Sequence, residues 1–336
     1  MREQIREFNP LIVSVQLSED AKVLQSEFPK LSVVSGMSGP NDCIDADGCD
    51  TVVMGIVGFA AFEPTLHAIR RKKRIGLANK ESLVVAGHLL MQEVRLHGSV
   101  VIPVDSEHSG LFQLLQGQPR ENIDQLVLTA SGGPFYSQPD LPFESVTPEM
   151  AIRHPNWKMG PKISVDSATL MNKGLELLEA QSLFDVSAKQ LGVWVHPQSV
   201  MHALVHWKDG SSMAQFSIPD MKGSIAYSLS FPERLSPLLE PLSPAQWSAF
   251  QFFEPDLKRF RCLKIAMEVM EMAPSYRVVL NAVNEVAVEQ FLNRKLSFSE
   301  IPNLIDRRLQ RHRSVTLNSI DEILLLDREE RERALD

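Results

Sequence analysis

The chain has 336 residues, 44% of them hydrophobic and 23% charged, which allows sizeable cores in two or three domains and excludes a small peptide-like module. A formal net charge of −8 argues against general attraction to nucleic acid or acidic membranes, so an anionic ligand needs a local basic site; Lys80, Lys158, Lys162 and Lys173 are the candidates. Three cysteines (Cys43, Cys49, Cys262) without zinc spacing, no secretion-signal core and no apolar run near the ~20 residues of a membrane span point to a soluble protein of the reducing cytoplasm.

Short β-branched runs at 11–15, 31–36, 51–58 and 74–80 open the chain, separated by segments of helical length and apolar spacing such as 59–73 and 81–98. That rhythm predicts βαβ units around a parallel sheet, an α/β domain whose ligands sit at the carboxyl ends of the strands. GIVG (55–58) and ANKES (78–82) occupy those ends. The basic cluster RRKKR (70–74) closes a predicted helix, where cations favour the dipole, and is read as a helix end rather than a nucleic-acid patch.

From 100 to about 231 the pattern becomes mixed α+β. An apolar run at 100–104 leads into PVDSEH, and a strand would put Asp105 and Glu107 on one face. The run IDQLVLTA ends in Ser131-Gly132-Gly133, a hydroxyl with flexible amides at a strand end, suited to a phosphate but more often an ordinary turn. HPNWKMG (154–160) has the makings of a water-excluding lid, although a Trp and a Met near a Gly are more often simply packed. Asn172, Lys173 and Glu176 lie at helical spacing on a helix expected to open at Ser167. A hairpin is expected to turn at Asp209-Gly210. His196 and His202 lack metal-ligand spacing and read as structural. Prolines then crowd an irregular connector at 232–256, and 257–336 reads as helices only, its charged ending DREERERALD (327–336) as a solvated terminal segment.

Asp105, Glu107 and Glu176 could share one ion. Carboxylates about 4 Å apart repel by roughly 4 kcal/mol per pair at an effective dielectric near 20, so a cation or a proton must resolve such a cluster. Oxygen-only ligation favours Mg²⁺ or Mn²⁺ over zinc. Two strand-end caps and a surface glutamate fit the spacing equally well.

The stretches LANKESLV, VDSEH, LTASGGPF, HPNWKMGPKISVDSATLMNKGLE, HPQSVMHALV and PDM closely resemble the 1-deoxy-D-xylulose 5-phosphate reductoisomerases, from near residue 1 to the final helices. The resemblance implies conversion of 1-deoxy-D-xylulose 5-phosphate and NADPH into 2-C-methyl-D-erythritol 4-phosphate, with Mg²⁺ or Mn²⁺ (Co²⁺ a third option) held by Asp105, Glu107 and Glu176. By the same resemblance, Lys80, Ser106, Ser131, His154, Ser167, Asn172 and Lys173 contact the substrate, Lys80 and His154 with catalytic roles, and Trp157 and Met159 belong to a flap. Asn79, Glu81, Gly160 and Met221 line the nicotinamide cofactor. A homodimer with no nucleic-acid or membrane partner is implied, cytoplasmic rather than plastid. The expected organisation is a truncated Rossmann-like parallel-sheet domain at 1–94 lacking its first βα units, a central α+β catalytic domain at 95–231, the connector at 232–256 and a C-terminal helical domain at 257–336. The family's GxTGSxG turn is not found after Met1, which leads us to expect weakened cofactor binding, an unpaired sheet edge and, as an alternative function, a non-catalytic homologue that keeps the metal and sugar phosphate. A different two-domain dehydrogenase, with a purely structural metal, is the other alternative.

Overall fold

A computed structural model describes the chain from Met1 to Asp336 apart from residues 158, 237 and 249. Strands and helices alternate at first, as the β-branched runs predict: α1 (Arg2–Phe8), β1 (Ile12–Val15), α2 (Ser18–Glu27), β2 (Ser32–Ser35), α3 (Gly39–Ile44), β3 (Thr51–Met54), α4 (Phe62–Arg70), β4 (Arg74–Leu77), α5 (Glu81–His97) and β5 (Val100–Pro103). All pairings here are parallel, but they form two sheets rather than the single one expected: β1 with β2, and β3–β4–β5. No ladder joins the two sheets, and packing divides in the same way. Ile5, Leu24 and Leu31 form a small cluster of their own, whereas Met54, Ile75 and Leu77 belong to the main core.

The central region contains α6 (Ser106–Leu114), β6 (Ile123–Ala130), α7 (Pro148–Ala151), α8 (Pro161–Ala168), α9 (Met171–Phe184), β7 (Leu191–Val195), β8 (Met201–Trp207), β9 (Ser212–Phe216) and α10 (Lys222–Ser230). Its sheet runs β7-β6-β8-β9, with β6 parallel to β7 and antiparallel to β8. The hairpin between β8 and β9 turns at Asp209-Gly210 as predicted. The connector holds the short α11 (Pro244–Trp247); beyond it α12 (Arg261–Val269), α13 (Pro274–Leu292), α14 (Ile301–Arg311) and α15 (Ile320–Arg333) follow, with no strand among the described residues there.

α9 is buried on nearly every side, its charged Lys173, Glu176 and Glu179 included. Leu175, Leu177 and Leu178 are each 0% exposed, and burying a leucine fully stabilises by about 1.5–3 kcal/mol. A Cβ on Gly174 would come 2.4 Å from the Ala266 Cβ, so α9 and α12 approach more closely than a side chain there permits. This buried helix carries Asn172, Lys173 and Glu176 into the centre of the molecule.

Three local expectations are corrected. Asp105 and Glu107 do not alternate on a strand: β5 stops at Pro103, Asp105 occupies the residue before α6 without a capping hydrogen bond from its side chain, and Glu107 lies in the first turn of α6. Ser167 does not open the helix of Glu176 but lies in the last turn of α8; Leu170, left-handed at φ 59°, starts α9. The charged ending is not a solvated tail. Glu330 is 3% exposed and accepts from Arg308 Nη2 at 2.8 Å, while Arg331 pairs with Asp327 at 2.7 Å and Glu285 at 2.8 Å. Two of those partners lie on α13 and α14, a relation that charge pattern alone does not carry.

Candidate active site

Three elements converge on one cluster. The start of α5 brings Lys80, the start of α6 brings Asp105 and Glu107, and the first turns of α9 bring Asn172, Lys173 and Glu176. One oxygen from each of Asp105, Glu107 and Glu176 lies within 4.8 Å of the others. Lys80 Nζ donates to Asp105 Oδ2 at 2.9 Å, Asn172 Oδ1 at 2.8 Å and Glu176 Oε1 at 3.2 Å. Lys173 Nζ donates to Glu107 Oε1 at 2.7 Å and also to Glu176, and the Asn172 amide donates to Glu176. The reading of Glu176 as a surface residue therefore fails, since it is 1% exposed.

Burial opposes every charge here, and the partners decide which survive. Burial disfavours the Asp105 carboxylate, but Lys80 and His108 outweigh it and hold its carboxyl well below the usual range. Burial is also the largest influence on Glu107; Lys173 opposes it, yet Glu176 and Asp105 add their repulsion and the carboxyl rises to about 7. The Lys80 ammonium is disfavoured by burial, and Asp105, Glu176 and Glu179 more than restore it. A trio of oxygen donors, one of which readily keeps a proton at neutral pH, fits a hard divalent cation that would replace that proton.

The cluster lines a cavity of ≈ 260 Å³ whose wall includes every predicted substrate residue: Lys80, Ser106, Glu107, Ser131, His154, Trp157, Met159, Ser167, Asn172, Lys173 and Glu176. The Ser131 loop reaches it because Gly133, at φ +67°, lies so close to α8 that a Cβ would meet the Ser167 carbonyl oxygen at 2.6 Å. His154 Nδ1 accepts the main-chain N–H groups of Asn156 (3.2 Å) and Trp157 (3.0 Å). Its Nε2 therefore carries the proton and donates to Ser131 Oγ at 2.9 Å, and that oxygen also accepts the Gly133 N–H at 3.1 Å. With both acceptor positions taken, the Ser131 hydroxyl proton is free for a ligand.

Burial pushes His154 down to about 4, and burial with help from Lys173 does the same to His202, whose Nε2 meets Ser217 Oγ at 3.0 Å. Between that value and the unfolded 6.5 the folded state binds fewer protons than the unfolded one, so stability rises with pH. The contribution is expected to be complete above the unfolded value and to disappear as pH falls towards about 4. Glu107 and Glu179, raised to about 7, and His108, raised to about 9, bind protons over the same range and act in the opposite sense, so the imidazole contribution is read by difference: the change in urea midpoint from about pH 7 to about pH 5 should be more favourable in His202→Asn than in wild type, and an equal change in both would mean that the ring protonates freely.

A second cavity of ≈ 340 Å³ is lined by Gly55, Ile56, Val57, Asn79, Glu81, Gly160, Lys162 and Asp166, among others, and shares Ala78, Lys80, Ile163 and Asn172 with the first. Three of the residues expected to line the cofactor, Asn79, Glu81 and Gly160, are here, whereas Met221 lines the first cavity. Lys158 lies outside the described residues.

Family models for 1-deoxy-D-xylulose 5-phosphate reductoisomerase match residues 1–87, for its C-terminal domain residues 101–184, and for the DXP reductoisomerase C-terminal domain residues 216–333. The chain belongs to the 1-deoxy-D-xylulose 5-phosphate reductoisomerase family. The reductoisomerase of Prosthecochloris aestuarii is 47% identical over 99% of this chain and 88% of its own length, and that of Geotalea uraniireducens 45% identical over 99% and 87%. A crystal structure of DOX-P reductoisomerase in complex with NADPH, fosmidomycin and magnesium superposes with a TM-score of 0.93 at 36% identity, covering 99% of this chain and 87% of that one. The Zymomonas mobilis reductoisomerase in complex with NADPH gives 0.91 at 36% identity, over 99% and 86%. These reductoisomerases lend no support to the alternative of a non-catalytic homologue.

Sequence reasoning missed Thr129 and Ser199 of the first cavity and read His202, which also lines it, as structural. Thr129 and His202 sit on β6 and β8, where strand alternation offers a signal for facing the same side. Ser199, left-handed at φ 54° in a loop, offers none.

Proposed function

We propose that the chain converts 1-deoxy-D-xylulose 5-phosphate into 2-C-methyl-D-erythritol 4-phosphate, using NADPH and Mg²⁺ or Mn²⁺. The observation that carries this reading is the shared wall: a cavity holding three convergent carboxylates opens onto a second cavity through Ala78, Lys80, Ile163 and Asn172. A rearranged sugar and a hydride donor must meet across such a boundary.

Asp105, Glu107 and Glu176 would hold the cation, which supplies Lewis-acid polarisation of the substrate's carbonyl and neighbouring hydroxyl oxygens. The chain's own groups do the rest. Lys80, fixed between Asp105, Asn172 and Glu176, keeps an ammonium at the junction of the two cavities, where its positive charge can stabilise a substrate oxygen that gains charge. The Ser131 hydroxyl, oriented by neutral His154, donates outward, and with Ser167 and Asn172 it suits a phosphate or hydroxyl oxygen. Lys173 is turned into the carboxylates, so it balances them first and reaches phosphate only through the same cluster. Trp157 and Met159 cover the cavity with apolar surface that excludes water. Asn79, Glu81 and Gly160 line the second cavity for the nicotinamide end.

The assembly we propose is a homodimer in the cytoplasm. In its favour stand the free edge strand β9 with Met213 45% exposed, three unpaired cysteines and the absence, among the described residues, of a helix able to cross a membrane.

Purified chain given substrate, NADPH and Mn²⁺ is expected to oxidise NADPH, and a chelator to reduce the rate to background. Turnover that survives chelation would favour a dehydrogenase with a structural metal. No NADPH oxidation in the presence of metal and substrate would overturn the proposal.

A further inference from the structure

The floor of the second cavity contains a chain of polar side chains, buried except for the partly exposed Lys162, that extends well beyond the residues that the proposed chemistry uses. Lys162 Nζ donates to Glu81 Oε1 at 2.8 Å and pairs with Asp166 Oδ2 at 3.0 Å. On one side, Glu81 Oε2 accepts from Asn79 Nδ2 at 2.9 Å, and the same amide reaches the main-chain oxygens of Ile56 at 3.1 Å and Gly58 at 2.9 Å. On the other, Asp166 Oδ1 accepts from Asn284 Nδ2 at 2.9 Å. Asp166 is 1% exposed, and Asn284, in the middle of α13, is 0% exposed.

Buried polar groups are costly when left unpaired, which favours the arrangement that pairs Asn79, Glu81, Lys162 and Asp166, although Asn284 Oδ1 has no partner of its own among the described residues. A lysine side chain alone would not fix its ammonium, because four rotatable bonds leave it many positions. Two carboxylates at opposite sides do fix it. Asp166 cannot itself move, since Asn284 holds its second oxygen and α8 packs against α13.

We propose that Asp166 and Asn284 are positioning residues for the cofactor: they anchor Lys162 so that its ammonium holds Glu81, and through Asn79 the loop carbonyls of Ile56 and Gly58, in the shape that receives the nicotinamide end. The proposal rests on the assignment of the second cavity to NADPH. It makes a helix of the C-terminal region a determinant of cofactor affinity. It also confines the effect to that affinity, because neither residue touches the carboxylate trio or lines the first cavity.

The test is fluorescence titration of NADPH onto the full-length wild-type chain, Asp166→Asn, Asn284→Ala and the double variant, beside Mn²⁺ binding, melting temperature and steady-state kinetics. Each single variant is expected to weaken NADPH binding roughly 10- to 100-fold, the range found when groups behind a binding residue are lost or a bound group shifts by about 1 Å. The double variant should be no weaker than the worse single one, since both act through Lys162. Mn²⁺ affinity, KM for the sugar phosphate and kcat at saturating NADPH should stay within about 2-fold, a split that general loosening of the fold would not produce. Unchanged NADPH affinity in Asp166→Asn that melts like wild type would overturn the proposal, as would a parallel loss of Mn²⁺ and substrate binding. If Asp166→Asn does not fold, Asn284→Ser is judged by the same measurements. Absence of NADPH binding by wild type is a different result, and it removes the cavity assignment itself.

Discussion

Glu176→Gln is expected to weaken Mg²⁺ or Mn²⁺ binding by at least ~100-fold, because losing a group that merely supports a metal ligand already costs about 10- to 100-fold. Glu176 is 1% exposed and receives Lys80 at 3.2 Å, together with Lys173 and Asn172. An amide of the same shape keeps one acceptor but turns its NH₂ group towards one of the two ammoniums, that of Lys173 when the oxygen stays with Lys80 and Asn172. Repulsion and one lost charge-assisted bond should lower stability by about 1–3 kcal/mol. The fold survives that, since Asp105 at 2.9 Å still neutralises Lys80 and Glu107 at 2.7 Å still neutralises Lys173. Metal-dependent turnover should fall by about 100- to 1000-fold at fixed metal, in line with several kcal/mol of Lewis-acid stabilisation at ~1.4 kcal/mol per factor of ten. Calorimetric titration of Mn²⁺ checks the first figure. Wild-type affinity in the variant would remove Glu176 from the ligand set.

The residues of this site were legible in the sequence because long motifs carry them; the geometry that assembles them was less so. The i, i+4 spacing of Asn172 and Glu176 correctly put both side chains on one face of α9, and they are hydrogen-bonded in the structure. The spacing of Asp105 and Glu107 suggested a strand. Their carboxylates nevertheless converge, because Asp105 ends the extended run at φ −52°, ψ 134° and α6 begins at the next residue. A two-residue separation fits either arrangement, and only the dihedrals at Asp105 distinguish them. His108 was invisible as a partner: it lies 3.7 Å from both Asp105 and Glu179, and Glu179 comes from a helix some seventy positions on, so only tertiary structure joins them. The division of the parallel strands into two sheets was equally hidden, since βαβ rhythm reports alternation but not which strands are neighbours.

The charged C-terminal segment is where sequence and structure part furthest, and it carries the largest expected effect on stability. Arg308→Ala should lower stability by about 3 kcal/mol, because it removes the guanidinium 2.8 Å from the buried Glu330 side chain and leaves only the exposed Arg333, 4.0 Å away, to face it. Arg308→Met combined with Glu330→Leu should recover most of that loss, since removing both charges abolishes the burial penalty along with the attraction. Arg308→Met alone, which keeps the aliphatic packing but removes the guanidinium, should lose nearly as much as Arg308→Ala, and its contrast with the double variant separates an uncompensated charge from lost packing. The loss should appear first as release of α15, whose other ion pair to the rest of the fold among the described residues, Arg331 to Glu285 at 2.8 Å, involves a side chain 30% exposed and holds less firmly. Limited proteolysis should therefore cut Arg308→Ala near 313–319, the segment joining α14 to α15, before the core unfolds in urea. Identical cutting and unfolding of Arg308→Ala and wild type would show that Glu330 escapes to solvent at little cost, and that α15 is held by its apolar face, Ile323 at 0% exposure among it, rather than by the ion pair.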